Sequence, residues 1–121
     1  MPEGKKILVV DDSITVHKMM KRFLEPEGFE ICSFAQNGQQ AVEEFQRHNP
    51  DLTFMDITMP VMDGITALEH IKKENPGANI VMLSAMGDEE IKGEAEELGA
   101  SAFLQKPFNK DMLLKTIEKF L

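Results

Sequence analysis

The stretch KILVVDD, residues 6–12, decides the fold of this 121-residue chain. Four of its first five residues are aliphatic, and the run has no polar alternation, which is typical of a strand buried on both faces of a sheet. Two carboxylates, Asp11 and Asp12, follow directly. Neighbouring carboxylates repel each other and raise each other's pKa, and a divalent cation would cancel their charge. The stretch therefore predicts a buried strand that ends at a metal site.

Apolar runs alternate with amphipathic segments along the rest of the chain. After residues 6–10, further strands are predicted at residues 29–35, 52–55, 80–83 and 101–104, each followed by apolar residues at helical spacing. This order predicts an α/β fold with a parallel sheet and helices on both faces. The fourth helix has the weakest apolar face and an internal Gly93, so we expect it to be the loosest. The length predicts a single domain over residues 1–121.

Composition narrows the class of protein. A net charge of −8 and a pI near 4.8 argue against nucleic acid or an anionic membrane as a partner. Residues 1–5 carry no apolar signal region, and no apolar run approaches the roughly 20 residues of a membrane helix. Cys32 is the single cysteine and lies in an apolar stretch, which predicts a buried, inert thiol. We expect a cytoplasmic, monomeric protein.

Polar residues stand at the carboxyl ends of the predicted strands. In an open parallel sheet, ligands bind at that edge, where the strand order reverses. A single aspartate after a strand is commonly a turn former or a helix cap, but five such polar residues favour one shared site. The set predicts a site for a metal and a phosphoryl group, and it comprises Asp11, Asp12, Asp56, Ser84 and Lys106.

Four motifs occur in a fixed order along the chain. They are VDDS at residues 10–13, MDITMP at 55–60 followed by MDG at 62–64, LSA at 83–85, and KPF at 106–108. Together they resemble the receiver domains of two-component response regulators, and especially the free-standing, CheY-like members of chemotaxis systems. The resemblance covers nearly the whole chain. It implies a flavodoxin-like, doubly wound (βα)5 fold with strand order 2-1-3-4-5, for which CheY is itself a standard example.

The resemblance also implies the chemistry of the site. Asp56 would accept a phosphoryl group from a CheA-like histidine kinase. A carboxylate is a weak nucleophile, so placement and charge neutralisation must carry the reaction. Mg²⁺ prefers oxygen ligands and few of them from protein; Asp12, Asp56 and the Thr58 backbone carbonyl match the family, with Asp11 as a further ligand or acting through a metal-bound water. Lys106 would hold a phosphoryl oxygen.

A switch is implied at Ser84 and Phe103. The Ser84 hydroxyl would bond a phosphoryl oxygen and draw its loop inward, which leaves room for Phe103 to turn in. If the two packings differ little in free energy, phosphorylation needs to favour one of them by only a few kcal/mol to change which surface is exposed. Helix four, strand five and helix five would then form the face that binds a flagellar motor switch protein. Core packing is the alternative interpretation of Phe103. The resemblance also implies that the peptide bond before Pro107 is cis.

Other functions stay open from the residues. The same pocket would serve an intermediate or phosphate sink in a multistep phosphorelay, with a phosphotransfer protein as partner. A phosphatase of the haloacid dehalogenase type also uses an aspartate, Mg²⁺ and a lysine, but Thr58 stands where its second acid belongs. A flavin module would lack a Trp or Tyr to stack on the ring. The histidines lack metal-ligand spacing and receive no role; they are His17, His48 and His70.

Overall fold

The computed structural model describes residues 4–121, and within them five strands alternate with five α-helices. The strands are β1 (Lys6–Val10), β2 (Glu30–Ala35), β3 (Leu52–Asp56), β4 (Ile80–Ser84) and β5 (Ala102–Gln105). The helices are α1 (Ile14–Leu24), α2 (Gly38–His48), α3 (Gly64–Glu74), α4 (Glu89–Glu97) and α5 (Lys110–Glu118), and a short 3-10 helix spans Glu25–Glu27. The strands predicted from the sequence are confirmed, with bounds that differ by no more than one residue at either end.

All five strands are parallel and lie in the order β2-β1-β3-β4-β5. This confirms the doubly wound, flavodoxin-like order. The chain moves from β1 to one side for β2 and then to the other side for β3, so the strand order reverses between β1 and β3. The carboxyl ends of these two strands flank the crevice in which ligands of such folds bind.

The sheet separates two apolar cores. Alternate residues of a strand point to opposite faces, so Ile7 and Val9 belong to one core and Leu8 and Val10 to the other. Helices α1 and α5 cover the first core, and α2, α3 and α4 cover the second. Every residue of β3 and β4 is buried, as a parallel strand covered on both faces requires.

Helix α4 differs from the other helices at its start and along its length. At the start of each of the other four helices, a side-chain oxygen of the N-cap residue accepts a hydrogen bond from a backbone amide in the first turn; these N-cap residues are Ser13, Asn37, Asp63 and Asn109. At α4 the N-cap residue Asp88 makes no such bond, and only Ala95 is buried. This agrees with the prediction that the fourth helix is the loosest.

The thiol of Cys32 corrects one prediction. Cys32 is half-buried rather than buried, because β2 is an edge strand with a neighbour on only one side. Its Sγ donates to the Ile7 carbonyl at 3.6 Å, and burial raises the pKa of the thiol. The thiol is therefore protonated at neutral pH.

Within residues 4–121, no helix is both long and apolar enough to cross a membrane.

One buried hydroxyl in the centre of the sheet has no partner within the described residues. Thr53 of β3 is fully buried, and its Oγ1 makes no hydrogen bond. Burying an unpaired hydroxyl costs about 1–3 kcal/mol. We expect Thr53→Val to raise the free energy of unfolding by about 1 kcal/mol, measured by chemical denaturation.

A second buried threonine supplies the control. Thr116 of α5 is 8% exposed, and its Oγ1 donates to the Met112 carbonyl at 2.9 Å. Thr116→Val removes a satisfied hydroxyl and should give no gain in stability. A loss of stability in Thr53→Val would mean that its hydroxyl has a partner after all.

Candidate functional site

Three carboxylates meet at the carboxyl edge of the sheet. Asp11 and Asp12 follow β1, and Asp56 is the last residue of the adjacent strand β3, with Val10 opposite Met55 in the parallel register. One carboxylate oxygen from each aspartate lies within 4.8 Å of the others. Asp11 is fully buried, Asp56 is 9% exposed, and Asp12 is exposed. The register of two neighbouring strands therefore builds the cluster that the sequence predicted.

Every polar group of Asp11 has a hydrogen-bond partner. Its Oδ2 accepts from Lys106 Nζ at 2.6 Å, and its Oδ1 accepts from the Ser13 amide at 2.9 Å. Its backbone amide donates to the Ala35 carbonyl at 2.9 Å, and its own carbonyl lies 2.6 Å from His17 Nε2. Asp11 is thus fixed in a fully buried position by hydrogen bonds.

Lys106, directly after β5, is the cation that residues 4–121 bring to the cluster. Its Nζ lies 2.6 Å from Asp11 Oδ2 and 3.5 Å from Asp56 Oδ1. Burial lowers the pKa of Lys106, but the hydrogen bond that Lys106 donates to Asp11 and the negative charge of Asp56 outweigh this effect, so the pKa is raised. The Lys106–Pro107 bond is cis, as the family pattern predicts. Lys106 is therefore charged, and its ammonium contacts carboxylates at the ends of both β1 and β3.

Asp56 is the acid of the site whose pKa is strongly raised. Burial raises its pKa most, the charge of Asp11 raises it further, and Lys106 lowers it, which leaves the pKa at about 6. Three carboxylates against one ammonium leave an excess of negative charge. Hard oxygen donors with such an excess suit a divalent cation such as Mg²⁺. The residues present therefore fit the metal that the sequence predicts.

The loop between β3 and α3 approaches Asp56 very closely. The Gly64 amide donates to the Ile57 carbonyl at 2.8 Å, and a Cβ on Gly64 would lie 2.0 Å from the Asp56 carbonyl oxygen. Val61 in this loop is exposed and has a φ of 67°, which is unusual for a β-branched residue. Only glycine at position 64 allows the start of α3 to pack this closely against the backbone of Asp56.

The structure brings most, but not all, of the predicted site residues together. Asp11, Asp12, Asp56 and Lys106 form the cluster. Ser84 ends β4 almost fully buried, and its carbonyl accepts from the Lys106 amide at 2.7 Å. Two further predicted residues lie on neighbouring segments. Thr58 is exposed in the loop after β3, and Phe103 is partly buried on β5, where Lys92 Nζ lies 5.3 Å from its ring centroid.

Sequence reasoning missed three contributors to the site. They are Ser13, which donates its amide to Asp11; His17, which contacts the Asp11 carbonyl; and Gly64, which lets the loop approach Asp56. An Asp-x-Ser pattern before a helix is a signal for the first, because aspartate commonly bonds the amide two residues on. Gly64 stands in the MDG motif at residues 62–64, but the motif does not show that a side chain there would meet the Asp56 carbonyl. The contact of His17 depends on tertiary structure and leaves no comparable local signal.

Comparison with known proteins decides the family. Residues 7–118 match the family model of the response regulator receiver domain. The chain belongs to this family. The receiver domain is 48% identical over 116 residues to the chemotaxis protein CheY of Bacillus subtilis (strain 168), covering 96% of this chain and 97% of that protein. The receiver assignment is therefore favoured over the phosphatase and the flavin module.

Solved structures agree with the assignment of the receiver domain. A CheX-CheY-BeF3-Mg²⁺ complex from Borrelia burgdorferi contains a chain with a TM-score of 0.91 and 34% identity, covering 97% of this chain and 89% of that one. Vibrio cholerae chemotaxis protein CheY4 gives a TM-score of 0.89 and 33% identity, covering 98% and 99% of the two chains. The receiver domain is thus similar in sequence and structure to chemotaxis response regulators.

Asp12 offers a direct test of the metal site in this receiver domain. It is the exposed member of the carboxylate cluster. We expect Asp12→Ala to weaken Mg²⁺ binding by more than about tenfold, because changes even in outer-shell groups have effects of that size. Isothermal titration calorimetry is the suitable measurement, since the chain has no Trp or Tyr to report binding by fluorescence. Glu89→Ala removes the same charge from exposed α4 and should leave the affinity unchanged; equal affinities for Asp12→Ala and wild type would remove Asp12 from the site.

Proposed function

We propose that this receiver domain accepts a phosphoryl group on Asp56 from a CheA-like histidine kinase, in a Mg²⁺-dependent reaction, and signals in chemotaxis to the flagellar motor switch. The observation that carries the proposal is the placement of Asp56, a nearly buried carboxylate flanked by two others and faced by the ammonium of Lys106. We propose one domain over residues 1–121 that acts as a monomer in the cytoplasm.

The chain's own residues supply an acceptor and a holder for the phosphoryl group. The ionised Asp56 oxygen attacks the phosphorus of the donor phosphohistidine, an O–P bond forms, and the P–N bond breaks. The electron pair stays on the imidazole nitrogen, which takes a proton from solvent. Mg²⁺ held by Asp12, Asp56 and the Thr58 carbonyl would supply the neutralising charge. Lys106 is already 3.5 Å from Asp56 and can turn from Asp11 to hold a phosphoryl oxygen.

The switch would run from Ser84 to the edge of the sheet. The Ser84 hydroxyl would bond a phosphoryl oxygen, and the Ser84 carbonyl already ties this loop to Lys106. Strand β5 is an edge strand with α4 and α5 on opposite faces of the sheet. Phe103 lies on β5 beside the loosest helix, and an inward turn of its ring would alter this α4-β5-α5 face. That combination supports this face as the output surface.

The acceptor is tested with acetyl phosphate and Mg²⁺ by intact mass. We expect the wild type to gain one phosphoryl group and Asp56→Asn to gain none. Asp63→Asn is the matched control, because Asp63 is an exposed aspartate that caps α3 and asparagine caps equally well; it should be phosphorylated like the wild type. An undiminished mass gain in Asp56→Asn would place the acceptor on another residue.

The output is tested by affinity capture from lysate of the source cell, with mass spectrometry of the bound proteins. The chain is compared with and without Mg²⁺ and beryllofluoride. Enrichment of a motor switch protein would support chemotaxis output, and enrichment of a histidine phosphotransfer protein would favour the phosphorelay role. Ser84→Ala should remain phosphorylatable yet lose the difference between the two states. Identical captures from the wild type in both states would contradict the switch.

A further inference from the structure

His17 makes a buried contact that the proposed function does not use. It lies in the first turns of α1 and is 7% exposed, and its Nε2 is 2.6 Å from the Asp11 carbonyl oxygen. A carbonyl oxygen only accepts, so Nε2 carries the hydrogen and donates it. A buried donor this close to its acceptor fixes the peptide to which the acceptor belongs.

The peptide in question joins Asp11 to Asp12. The amide of Asp11 is held by the Ala35 carbonyl, and its carboxylate by the Ser13 amide and Lys106. The carbonyl is the remaining polar group of Asp11, and His17 holds it. Because the Asp12 side chain is exposed, the backbone that carries it largely sets its direction. His17 therefore controls the plane from which the Asp12 carboxylate projects.

The ring of His17 is itself held from the neighbouring strand. It stacks on Phe34 of β2 with ring centroids 4.8 Å apart and an angle of 27° between the planes. The N-cap bond from the Val16 amide to the Ser13 Oγ fixes the start of the same helix. The imidazole thus reaches the Asp11 carbonyl from a rigid position on α1, with Phe34 behind it.

We propose that His17 is a positioning residue that aims the Asp12 carboxylate at the metal position shared with Asp56. The inference rests on the proposed Mg²⁺ site. Mg²⁺ demands near-ideal octahedral geometry at about 2.0–2.1 Å, so a small rotation of one ligand lowers affinity. Residues that orient metal ligands through hydrogen bonds commonly change metal affinity by about 10–100-fold when replaced.

Two substitutions separate the hydrogen bond from the ring stack. His17→Phe keeps an aromatic ring against Phe34 and removes the donor, and we expect its Mg²⁺ affinity to fall by about tenfold or more in calorimetry. His17→Gln keeps an N–H that can reach the Asp11 carbonyl and removes the ring; we expect its affinity to stay close to the wild-type value. His17→Met is a second donor-free variant, in case His17→Phe does not fold.

A destabilised control shows whether the effect is specific. Leu24→Ala opens a cavity at the far end of the same helix, where Leu24 is fully buried. It should lower stability while leaving the Mg²⁺ affinity of the folded protein unchanged. In metal-free protein, the amide NMR signal of Asp12 should move in His17→Phe and stay near its wild-type position in Leu24→Ala.

The outcomes distinguish this inference from the proposed function. Wild-type Mg²⁺ affinity in His17→Phe, or a loss in His17→Gln as large as in His17→Phe, would overturn the positioning role alone. A wild-type chain that binds no Mg²⁺ would overturn the proposed function and this inference with it. Weak binding by His17→Phe with near-normal binding by His17→Gln would establish the donated hydrogen bond as the cause.

Discussion

Gly64→Ala is expected to lower the free energy of unfolding by about 3 kcal/mol or more, at the upper end of what overpacking does. The new Cβ would lie 2.0 Å from the Asp56 carbonyl oxygen and 2.9 Å from the Asp56 carbonyl carbon. Both atoms are backbone at the end of the central strand, so no side-chain rotation relieves the contact. Either α3 or the end of β3 must move, and chemical denaturation measures the loss.

The same substitution should also disturb the metal site, because Asp56 moves with its backbone. We expect the folded Gly64→Ala protein to bind Mg²⁺ more weakly than the wild type. Gly93→Ala is the control within the chain: Gly93 is exposed inside α4, and a Cβ there would meet nothing within 4 Å. Alanine should stabilise that helix by up to about 1 kcal/mol. A Gly64→Ala protein as stable as the wild type would contradict the close approach of the loop to Asp56.

Asp56→Asn is expected to stabilise the metal-free protein at neutral pH although it removes the proposed acceptor. The pKa of Asp56 rises from 3.8 to about 6 on folding. Above about pH 6 the folded chain carries an unfavourable buried charge, whose removal is worth up to about 3 kcal/mol at about 1.4 kcal/mol per pKa unit. Denaturation in the presence of a chelator measures the gain.

The pH dependence of that gain follows from the sign of the shift. Between pH 3.8 and about 6 the folded wild type binds a proton that the unfolded chain does not, so the contribution of Asp56 to stability rises as the pH falls. The advantage of Asp56→Asn should therefore be full above about pH 6 and disappear near pH 3.8. Mg²⁺ should stabilise the wild type more than the variant. A variant that is less stable than the wild type at neutral pH would contradict the buried charge.

The sequence predicts the sheet and the acidic cluster because both depend on local signals. Strands β3 and β4 are buried at every residue, and such strands appear in a sequence as short apolar runs without alternation. Polar residues directly after these runs share one edge in any parallel sheet, so Asp11, Asp56 and Lys106 could be placed together before their distances were known. The order of the motifs then identified the family.

Features that depend on contacts between distant elements could not be predicted in this way. The half-burial of Cys32 follows from β2 lying at the edge of the sheet, and the requirement for Gly64 follows from the approach of one carbonyl. The contact of His17 depends on how α1 rotates over the end of β1. Hydrophobic periodicity records which face of a helix is buried, but not which polar atom a side chain on that face will meet.

The weak attachment of α4 determines how the molecule opens. With Ala95 as its one buried residue and no N-cap bond, α4 has few contacts that must break for it to detach, whereas β3 and β4 can lose their protection only when the whole sheet opens. Stability is distributed unevenly within a folded protein, and segments with few buried contacts open at much lower free energy than the core. In hydrogen exchange, the α4 amides should therefore exchange by local opening and the β3 amides by global unfolding. The surface of α4 can be rearranged while the sheet that carries Asp56 remains folded.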